Sequence, residues 1–184
     1  MKYVAFFRGI NVGGKNKVKM DELKRLFSDC GFSDIKTYIQ SGNVLFQSDQ
    51  DQALLADTIS GAFEKRFGFV SHIILRSADE IAAILSPFPF TEAEVQRAEA
   101  SAPEVAHVYI YLSNDPIDAT ALEKLRQSYT GDDKLYVSER EVYLLCHQSV
   151  RDSKLAILLS KLPAPLTARN QKTMCKVFEL LTGD

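Results

Sequence analysis

The stretch Arg8-Gly9-Ile10-Asn11-Val12-Gly13-Gly14-Lys15-Asn16-Lys17 is a glycine-rich, cationic connection between two regular elements. It follows an apolar run, Tyr3 to Phe7, which predicts a strand buried on both faces. It precedes apolar residues at helical spacing from Met20 to Cys30, and Gly31 is well placed to end that helix. We therefore expect a strand, a loop and a helix, in that order, at the start of the fold.

The following segments extend this unit. Alternating polarity over Ile35 to Ile39 and the apolar run Val44 to Phe46 predict a hairpin that turns at Ser41-Gly42-Asn43. A helix is predicted from Gln52 to Phe67, and a strand from Phe69 to Leu75. The resulting order, β-α-β-β-α-β, is that of the ferredoxin-like fold.

The second half repeats this order as far as its second helix. The predicted elements are a strand at Val105 to Leu112, a helix opened by Asp115-Pro116 and closed by Gly131, strands at Lys134 to Ser138 and Val142 to Cys146, and a helix at Leu155 to Leu162. Pro163 and Pro165 stand where a closing strand would follow, so a final helix over Met174 to Leu181 is expected instead. The predicted fold class is therefore α+β, with two related ferredoxin-like halves, antiparallel sheets and an extra C-terminal helix.

The domain boundary is predicted between these halves. Ser77 and Glu80 form a capping-box pattern that opens a short helix ending at Leu85. Residues 86–103 are rich in proline and acidic side chains and read as a connecting segment, of which the stretch from Thr91 to Pro103 could be partly helical. We thus predict a first half over residues 1–85 and a second half with the C-terminal helix over residues 104–184, and the halves can pack as one unit.

Charge is distributed unevenly along the chain. The net charge of −2 for 184 residues divides into +4 over residues 1–40, −9 over residues 41–150 and +3 over residues 151–184. The two basic ends would form one cationic surface if they met in space. The alternative is that these charges simply lie on ordinary solvated faces.

Cysteine usage and hydropathy indicate the cellular compartment. Cys30, Cys146 and Cys175 are an odd, widely spaced set without a CxxC pair, which indicates reduced thiols. Arg8 interrupts the N-terminal apolar run, and no segment approaches the 18 or so apolar residues of a membrane span. We expect a soluble cytoplasmic protein without a membrane partner.

The glycine loop is the first candidate site. Loop amides near a helix start can bind an anion, with Arg8, Lys15 or Lys17 adding positive charge. The alternative is that the glycines serve backbone geometry alone. Residues 9–16 also approach the phosphate-loop pattern G-x-x-x-x-G-K-[ST], but Asn16 replaces the hydroxyl that would bind magnesium, and the strand order is not a parallel nucleotide-binding core. A nucleotide hydrolase is therefore disfavoured.

The segment from Thr167 to Thr173 is the second candidate site. Asn170 or Thr167 can cap the last helix. Arg169, Lys172, Thr173 and Lys176 would share one polar helical face, where a guanidinium beside a helix start suits a phosphate or carboxylate. Lys154, which opens the preceding helix after Ser153, could face the same way.

Other polar groups give weaker signals. A turn accounts fully for Ser41-Gly42-Asn43, and His72, His107 and His147 show no metal-ligand spacing. The sequence does not yield a catalytic triad. Pro87-Phe88-Pro89-Phe90 is either an exposed partner patch or a loop that seals the edge of a core.

Several of these motifs together resemble one bacterial family, the domain of unknown function 1697. They are Arg8-Gly9-Ile10-Asn11-Val12-Gly13-Gly14, Met20-x-x-Leu23, Tyr38-x-Gln40-Ser41-Gly42-Asn43-Val44, Pro87-Phe88-Pro89, Ser153-Lys154-Leu155 and Thr167-x-Arg169-Asn170-x-x-Thr173. The resemblance covers nearly the whole chain and implies duplicated ferredoxin-like halves. It implies no established activity, substrate or cofactor, and many relatives carry histidine where this chain has Lys15.

The working hypothesis is a protein that binds a small anionic ligand carrying phosphate or carboxylate. The predicted ligand-binding residues are Arg8, Gly9, Asn11, Gly13, Gly14, Lys15, Gln40, Ser41, Asn43, Lys154, Arg169, Asn170 and Thr173. One alternative is RNA binding through exposed aromatic residues on a sheet face, although the chain lacks an RNP1-like string and is acidic overall. The other is a protein–protein interaction module. The sequence leaves open whether the protein is an enzyme, its cofactor and its oligomeric state.

Overall fold

The computed structural model describes residues 1–183, in which eight strands and seven helices are present. The first elements are β1 (Lys2–Phe7), α1 (Met20–Asp29), β2 (Ser33–Tyr38), β3 (Asn43–Gln47), α2 (Gln52–Phe67), β4 (Ile73–Ser77) and α3 (Ala78–Leu85). The remaining elements are α4 (Glu92–Ser101), β5 (Val108–Leu112), α5 (Ala119–Ser128), β6 (Lys134–Val137), β7 (Glu141–Leu145), α6 (Lys154–Leu159), β8 (Thr167–Asn170) and α7 (Gln171–Thr182).

The strands form two four-stranded antiparallel sheets. Their strand orders are β2-β3-β1-β4 and β6-β7-β5-β8, so each strand of the first sheet has a counterpart in the second. The structure therefore confirms a mixed fold with two similar halves and antiparallel sheets. Contacts divide the chain into a first unit, Met1–Ala83 with the chain from Cys175 onward, and a second unit, Ile84–Met174.

Two helices cover one face of the first sheet. The predicted stripe of α1 is buried, with Leu23, Leu26 and Phe27 packed among the apolar residues of β1 and β3. α2 contributes Leu55, Ile59 and Phe63 to the same core. The predicted ends of both helices are confirmed, because Gly31 and Gly68 follow them with φ of +83° and +74°, the left-handed conformation that favours glycine.

The second unit is built in the same way. Leu122 and Leu125 of α5 and Leu155 and Leu159 of α6 pack with Val142 and Leu144 of β7. The predicted hairpin over β6 and β7 is confirmed, with its turn at Glu139 and Arg140.

The prediction that a helix replaces the closing strand of the second half is wrong. Thr167–Asn170 forms β8, which pairs with β5 along Tyr109 to Leu112. Pro163 and Pro165 lie before this strand, where missing N–H groups cost no sheet hydrogen bond, so they do not prevent pairing. The final helix follows β8 directly, beginning at Gln171.

Several other boundaries differ from the predicted ones; β4, for example, begins at Ile73 rather than Phe69. β5 begins at Val108 rather than Val105. α5 begins after Asp118, whose carboxylate accepts from the backbone N–H groups of Thr120 at 2.8 Å and Ala121 at 3.3 Å, rather than at Asp115-Pro116. The acidic stretch after Phe90 is the helix α4, opened by a capping box between Thr91 and Glu94 that the sequence analysis did not identify.

Candidate functional site

The glycine loop adopts a left-handed backbone at five positions. Gly9, Gly13 and Gly14 have φ of +73°, +59° and +76°, which a residue with a Cβ adopts only with strain. Asn11 and Asn16 have φ of +55° and +50°, and asparagine tolerates this region better than most residues. The glycines are therefore required by the path of the chain, whatever else the loop does.

Several loop amides already have partners within the protein. The Arg8 N–H donates to the His72 carbonyl at 2.9 Å, and the Asn11 N–H donates to the Asn16 carbonyl at 3.0 Å. The Lys15 N–H donates to the Val12 carbonyl at 3.1 Å and closes a tight turn. These three amides are engaged within the protein and do not face a ligand.

The Asn11 side chain fixes the loop to its surroundings. Its Nδ2 donates to the Val18 carbonyl at 2.9 Å and to the Gln40 carbonyl at 3.0 Å. Its Oδ1 accepts from the Val18 N–H at 2.8 Å. One side chain therefore joins the glycine loop, the entry to α1 and the β2–β3 hairpin tip, a role that the sequence analysis did not assign to it.

A cleft of about 590 Å³ lies beside this junction. Its lining combines the loop, the hairpin tip and the first residues of α1, namely Asn11, Gly14, Lys17, Val18, Lys19, Met20, Asp21 and Gln40. Three of the predicted ligand residues, Asn11, Gly14 and Gln40, thus line one concavity. Lys17, which the sequence analysis considered as a loop cation, lines it as well.

The start of α1 gives this cleft its polarity. Lys19 occupies the N-cap position and makes no capping hydrogen bond through its side chain, which has no acceptor atom. First-turn N–H groups of a helix carry partial positive charge and need acceptors. Lys17 and Lys19 add two exposed cations, while the Asp21 carboxylate in the same lining opposes them.

The arrangement departs from a nucleotide-binding phosphate loop. Such a loop leads directly from its lysine and hydroxyl residue into the helix. Here Lys17, Val18 and Lys19 separate Asn16 from the first residue of α1, and the Asn16 Nδ2 donates back to the Gly9 carbonyl at 3.1 Å. The geometry therefore agrees with the sequence argument against a nucleotide hydrolase.

The hairpin tip is largely explained by its own structure. The buried Asn43 donates through Nδ2 to the Tyr38 carbonyl at 2.9 Å and to the Ser41 Oγ at 3.1 Å. Gly42 packs so closely that an added Cβ would lie 2.5 Å from the Cδ1 atom of Ile10. Gln40 is the predicted tip residue whose side chain is exposed and lines the cleft.

The predicted cationic face of the last helix is not formed as described. Arg169 belongs to β8, so it does not continue the helical spacing of Lys172, Thr173 and Lys176. The Arg169 side chain is buried, it donates to the Ala168 carbonyl at 2.9 Å, and burial lowers the pKa of its guanidinium to about 10. Thr173 is buried too, whereas Lys172 and Lys176 are exposed.

Asn170 has the predicted capping role. Its Oδ1 accepts from the Thr173 N–H at 2.8 Å, at the start of α7. Asn170 and Lys172 also line a cleft of about 280 Å³ in the second unit, together with Glu99 of α4. One lysine and one glutamate line this cleft, whereas two lysines and one aspartate line the cleft beside the glycine loop.

Comparison with known proteins covers some of the predicted site segments and not others. A model of the family described as Protein of unknown function (DUF1697) matches residues 1–143. The chain belongs to this family. The match confirms the resemblance seen in the motifs, and it includes the glycine loop and the hairpin tip but ends within β7, before Lys154 and Arg169.

The structural comparison extends over the full length of this DUF1697 protein. A conserved bacterial protein from Streptococcus pneumoniae is 26% identical, with a TM-score of 0.76 over 98% of each chain. The search of curated proteins found no match. The fold is therefore shared with a bacterial protein, and the function must be argued from the residues themselves.

Asp133 is an organising residue that sequence reasoning missed. Its buried carboxylate accepts from the His147 N–H at 2.9 Å, from Gln148 Nε2 at 2.9 Å and from Ser153 Oγ at 2.7 Å. Ser153 in turn caps α6 by accepting from the Ala156 N–H at 3.1 Å. Two adjacent aspartates after Gly131 predict a turn, and nothing in the local sequence marks the second carboxylate as buried.

Lys154 lies beside this network, in the second unit of the DUF1697 protein. It is exposed and lines a cavity of about 690 Å³ together with Asp132, Asp152 and Tyr129. Two carboxylates and one ammonium give this cavity a net negative lining. The predicted pairing of Lys154 and Arg169 with the glycine loop in one site stays a prediction, because these residues belong to different compact units.

RNA binding through exposed aromatic residues and protein–protein interaction through the proline-rich loop both lose their main support in the structure. The five residues of β1 from Tyr3 to Phe7 are all buried, and so is Phe46 of β3. Of the aromatic residues within positions 1–183, only Tyr136, on the edge strand β6, is exposed. Phe90 is buried and Phe88 packs edge-on against Tyr143, so the proline-rich loop seals a core edge.

Thiol and metal chemistry receive little support from the geometry. Burial raises the pKa of the Cys146 thiol to about 12, and it also raises the pKa values of Cys30 and Cys175. Across residues 1–183, His, Cys, Asp and Glu side chains do not gather in threes around a possible metal position. In the same range, every helix is too short or too polar to cross a bilayer.

Proposed function

We propose that the cleft between the glycine loop and α1 binds a small anionic ligand that carries a phosphate or a carboxylate. The observation that carries this proposal is the meeting of Lys17, Lys19 and the start of α1 around one concavity of about 590 Å³. An anion in this position would accept from first-turn N–H groups that the Lys19 side chain does not cap.

The electrostatic balance favours an anion by a modest margin. Two lysine side chains face one carboxylate, that of Asp21, within the lining. The positive end of the α1 dipole adds to the two cations. All three side chains are exposed, so salt would screen their interaction with a ligand and binding should weaken as ionic strength rises.

Two amide side chains supply orientation. Asn11 is held in place by its three hydrogen bonds, so the wall that it forms is rigid. Gln40 is exposed at the hairpin tip and can present its own amide to a ligand. A fixed wall and a few polar groups are typical of small-molecule sites. We include Arg8, Lys15 and Ser41 as further candidates, because they belong to the glycine loop and the hairpin tip that supply part of the lining.

Three finer points belong to the same proposal. The strand order of each sheet supports assigning both halves to the ferredoxin-like fold. We also propose that Lys154, Arg169, Asn170 and Thr173 contribute to ligand binding, as their motifs suggest. The absence of a disulfide among residues 1–183 supports a cytoplasmic location.

The test is a ligand-induced shift of the thermal unfolding midpoint, measured with inorganic phosphate, a nucleoside monophosphate and a dicarboxylate. Ligand binding to the folded state raises the midpoint, and the rise increases with the logarithm of the ratio of ligand concentration to Kd. In the double variant Lys17→Ala/Lys19→Ala we expect affinity to fall by about tenfold, because each contact of an exposed charge contributes up to about 1 kcal/mol.

The matched control is Lys24→Ala/Lys65→Ala, which removes the same charge from exposed positions of α1 and α2 outside the cleft. The control should keep the wild-type shift. Equal loss in both double variants would attribute the effect to net charge rather than to the cleft. If the cleft variant and the wild type shifted equally with every probe, the proposed site would be wrong.

A further inference from the structure

His107 in the second unit is buried between two carbonyl groups. Its Nδ1 lies 2.7 Å from the Cys146 carbonyl oxygen, and its Nε2 lies 2.9 Å from the Ala102 carbonyl oxygen. Only 4% of the residue is exposed, so water cannot readily replace either contact. Both partners are acceptors and cannot donate a hydrogen bond.

This geometry discriminates between the protonation states of the ring. A neutral imidazole carries one N–H, so its second nitrogen would direct a lone pair at a carbonyl oxygen within hydrogen-bond distance. That contact would be repulsive and would also leave a buried nitrogen without a hydrogen bond. An imidazolium donates to both carbonyl groups at once, and both bonds are then charge-assisted.

The surroundings partly offset the cost of burying this charge. Ala102 is the C-cap residue of α4, so one of the two carbonyl groups lies at the negative end of a helix dipole. Glu99 of α4 lines the same cleft as His107 and favours the cation, whereas Lys172 of α7 lines it and opposes the cation. Cys146, on the far side, contributes its backbone, and burial keeps its thiol protonated.

The two carbonyl groups belong to separate elements that must be held together. Ala102 ends α4, and Cys146 directly follows β7. The same junction contains a hydrogen bond from the Cys146 N–H to the His107 carbonyl at 2.8 Å and one from Ser101 Oγ to the His147 carbonyl. The His107 ring is the one titratable side chain among these bonds.

We propose that His107 carries a proton on both ring nitrogens in the folded protein and acts as a proton-dependent clasp between the end of α4 and the end of β7. When the ring loses a proton, one of its two carbonyl contacts must break. The ring then no longer joins the end of α4 to the end of β7, and the segment over residues 102–107 is held on one side only. This clasp is independent of the proposed anion cleft, which lies in the first unit.

The direct test is nitrogen NMR of the histidine rings in the folded wild-type protein at neutral pH. The chemical shifts of ring nitrogens distinguish an imidazolium from either neutral tautomer. We expect His107 to show two protonated nitrogens while the fold is intact. A neutral His107 ring under these conditions would overturn the proposal, and this measurement does not require a variant that folds.

The second test is the pH dependence of thermal unfolding between about pH 6 and pH 9, the interval above the ordinary imidazole titration. Because the folded state would hold one more proton than the unfolded state, the unfolding equilibrium constant should rise by up to about tenfold per pH unit. His107→Gln retains a neutral amide donor and should flatten this dependence.

The control is His147→Gln, since the backbone of His147, rather than its ring, makes the two hydrogen bonds described above. This variant should keep the wild-type pH profile. Parallel profiles for the wild type and His107→Gln would contradict a proton-dependent role and leave His107 as an ordinary packing residue.

Discussion

The connection between the first strand and the first helix differs sharply between the two units. In the first unit it runs over residues 8–19, and in the second unit its counterpart runs over the shorter stretch 113–118. The first contains Arg8, Lys15, Lys17 and Lys19 and no acidic residue, whereas the second contains Asp115 and Asp118 and no basic residue. Because both connections serve the same strand order, the extra length and charge of the first exceed what the fold requires.

The two helices that follow also begin differently. α5 is capped by the Asp118 carboxylate, and its incoming chain is held by hydrogen bonds from the Ser113 N–H to the Arg140 carbonyl and from the Ile117 N–H to the Glu139 carbonyl, both 2.9 Å. α1 begins after a lysine whose side chain cannot accept a hydrogen bond. The second unit satisfies its helix start internally, and the first leaves it facing a cleft.

The largest expected effect concerns the internal network of the second unit. Asp133→Ala removes an acceptor for three hydrogen bonds, so we expect the free energy of unfolding to fall by about 3 kcal/mol or more. Urea denaturation measures the change. Asp132→Ala, at the exposed neighbouring position, should stay within about 0.5 kcal/mol of the wild type. Similar losses in both variants would contradict the special role of Asp133.

A smaller effect is expected when the glycine loop is shortened. Deleting residues 12–15 removes the turn that the Lys15 N–H closes onto Val12, while the hydrogen bond between Asn11 and Asn16 shows that the cut ends lie close together. We expect the free energy of unfolding to change by less than about 1 kcal/mol, because closing a shorter surface loop costs little entropy.

The comparison variant for this deletion is Asn11→Ala. It removes three hydrogen bonds that hold the loop, α1 and the hairpin tip together, and should cost about 2 kcal/mol in the same denaturation experiment. A deletion that destabilised the protein more than Asn11→Ala would mean that the long connection is a requirement of the fold, and the contrast between the units would lose its functional meaning.

The smallest expected effect comes from the capping boxes, one in each unit. In the second unit, hydrogen bonds from Lys134 and Thr91 lower the pKa of the Glu94 carboxyl to about 2, from an ordinary value of 4.5. Since this pKa is depressed in the folded state, Glu94 stabilises the fold above about pH 4.5 and loses that contribution as the pH falls toward 2.

Acid titration of the unfolding midpoint tests this expectation. Glu94→Gln should lower the midpoint slightly at neutral pH and reduce its fall between pH 4.5 and 2. The exposed position of the pair keeps the effect small. Glu92→Gln, two residues earlier on the same helix, is the control and should follow the wild-type curve. An unchanged acid profile in Glu94→Gln would count against the Lys134 and Thr91 contacts.

The sequence alone determined the elements whose signals are local. Apolar spacing located α1 and α2, Gly31 and Gly68 located their ends, and the Ser77–Glu80 pattern located the start of α3, as both hydrogen bonds of that box confirm. The glycine loop and the hairpin tip were also recognisable, because left-handed turns restrict the residues that can occupy them.

Only the tertiary structure decided the features that depend on distant partners. β8 is a strand because it pairs with the edge of β5, and Arg169 is buried because it lies on that strand. Asp133 accepts hydrogen bonds from residues 14, 15 and 20 positions away. Local sequence carries no record of these neighbours, since burial and hydrogen bonding at such positions arise from packing between elements. For the same reason, the cleft beside α1 could be identified only after the loop, the helix start and the hairpin tip were placed together.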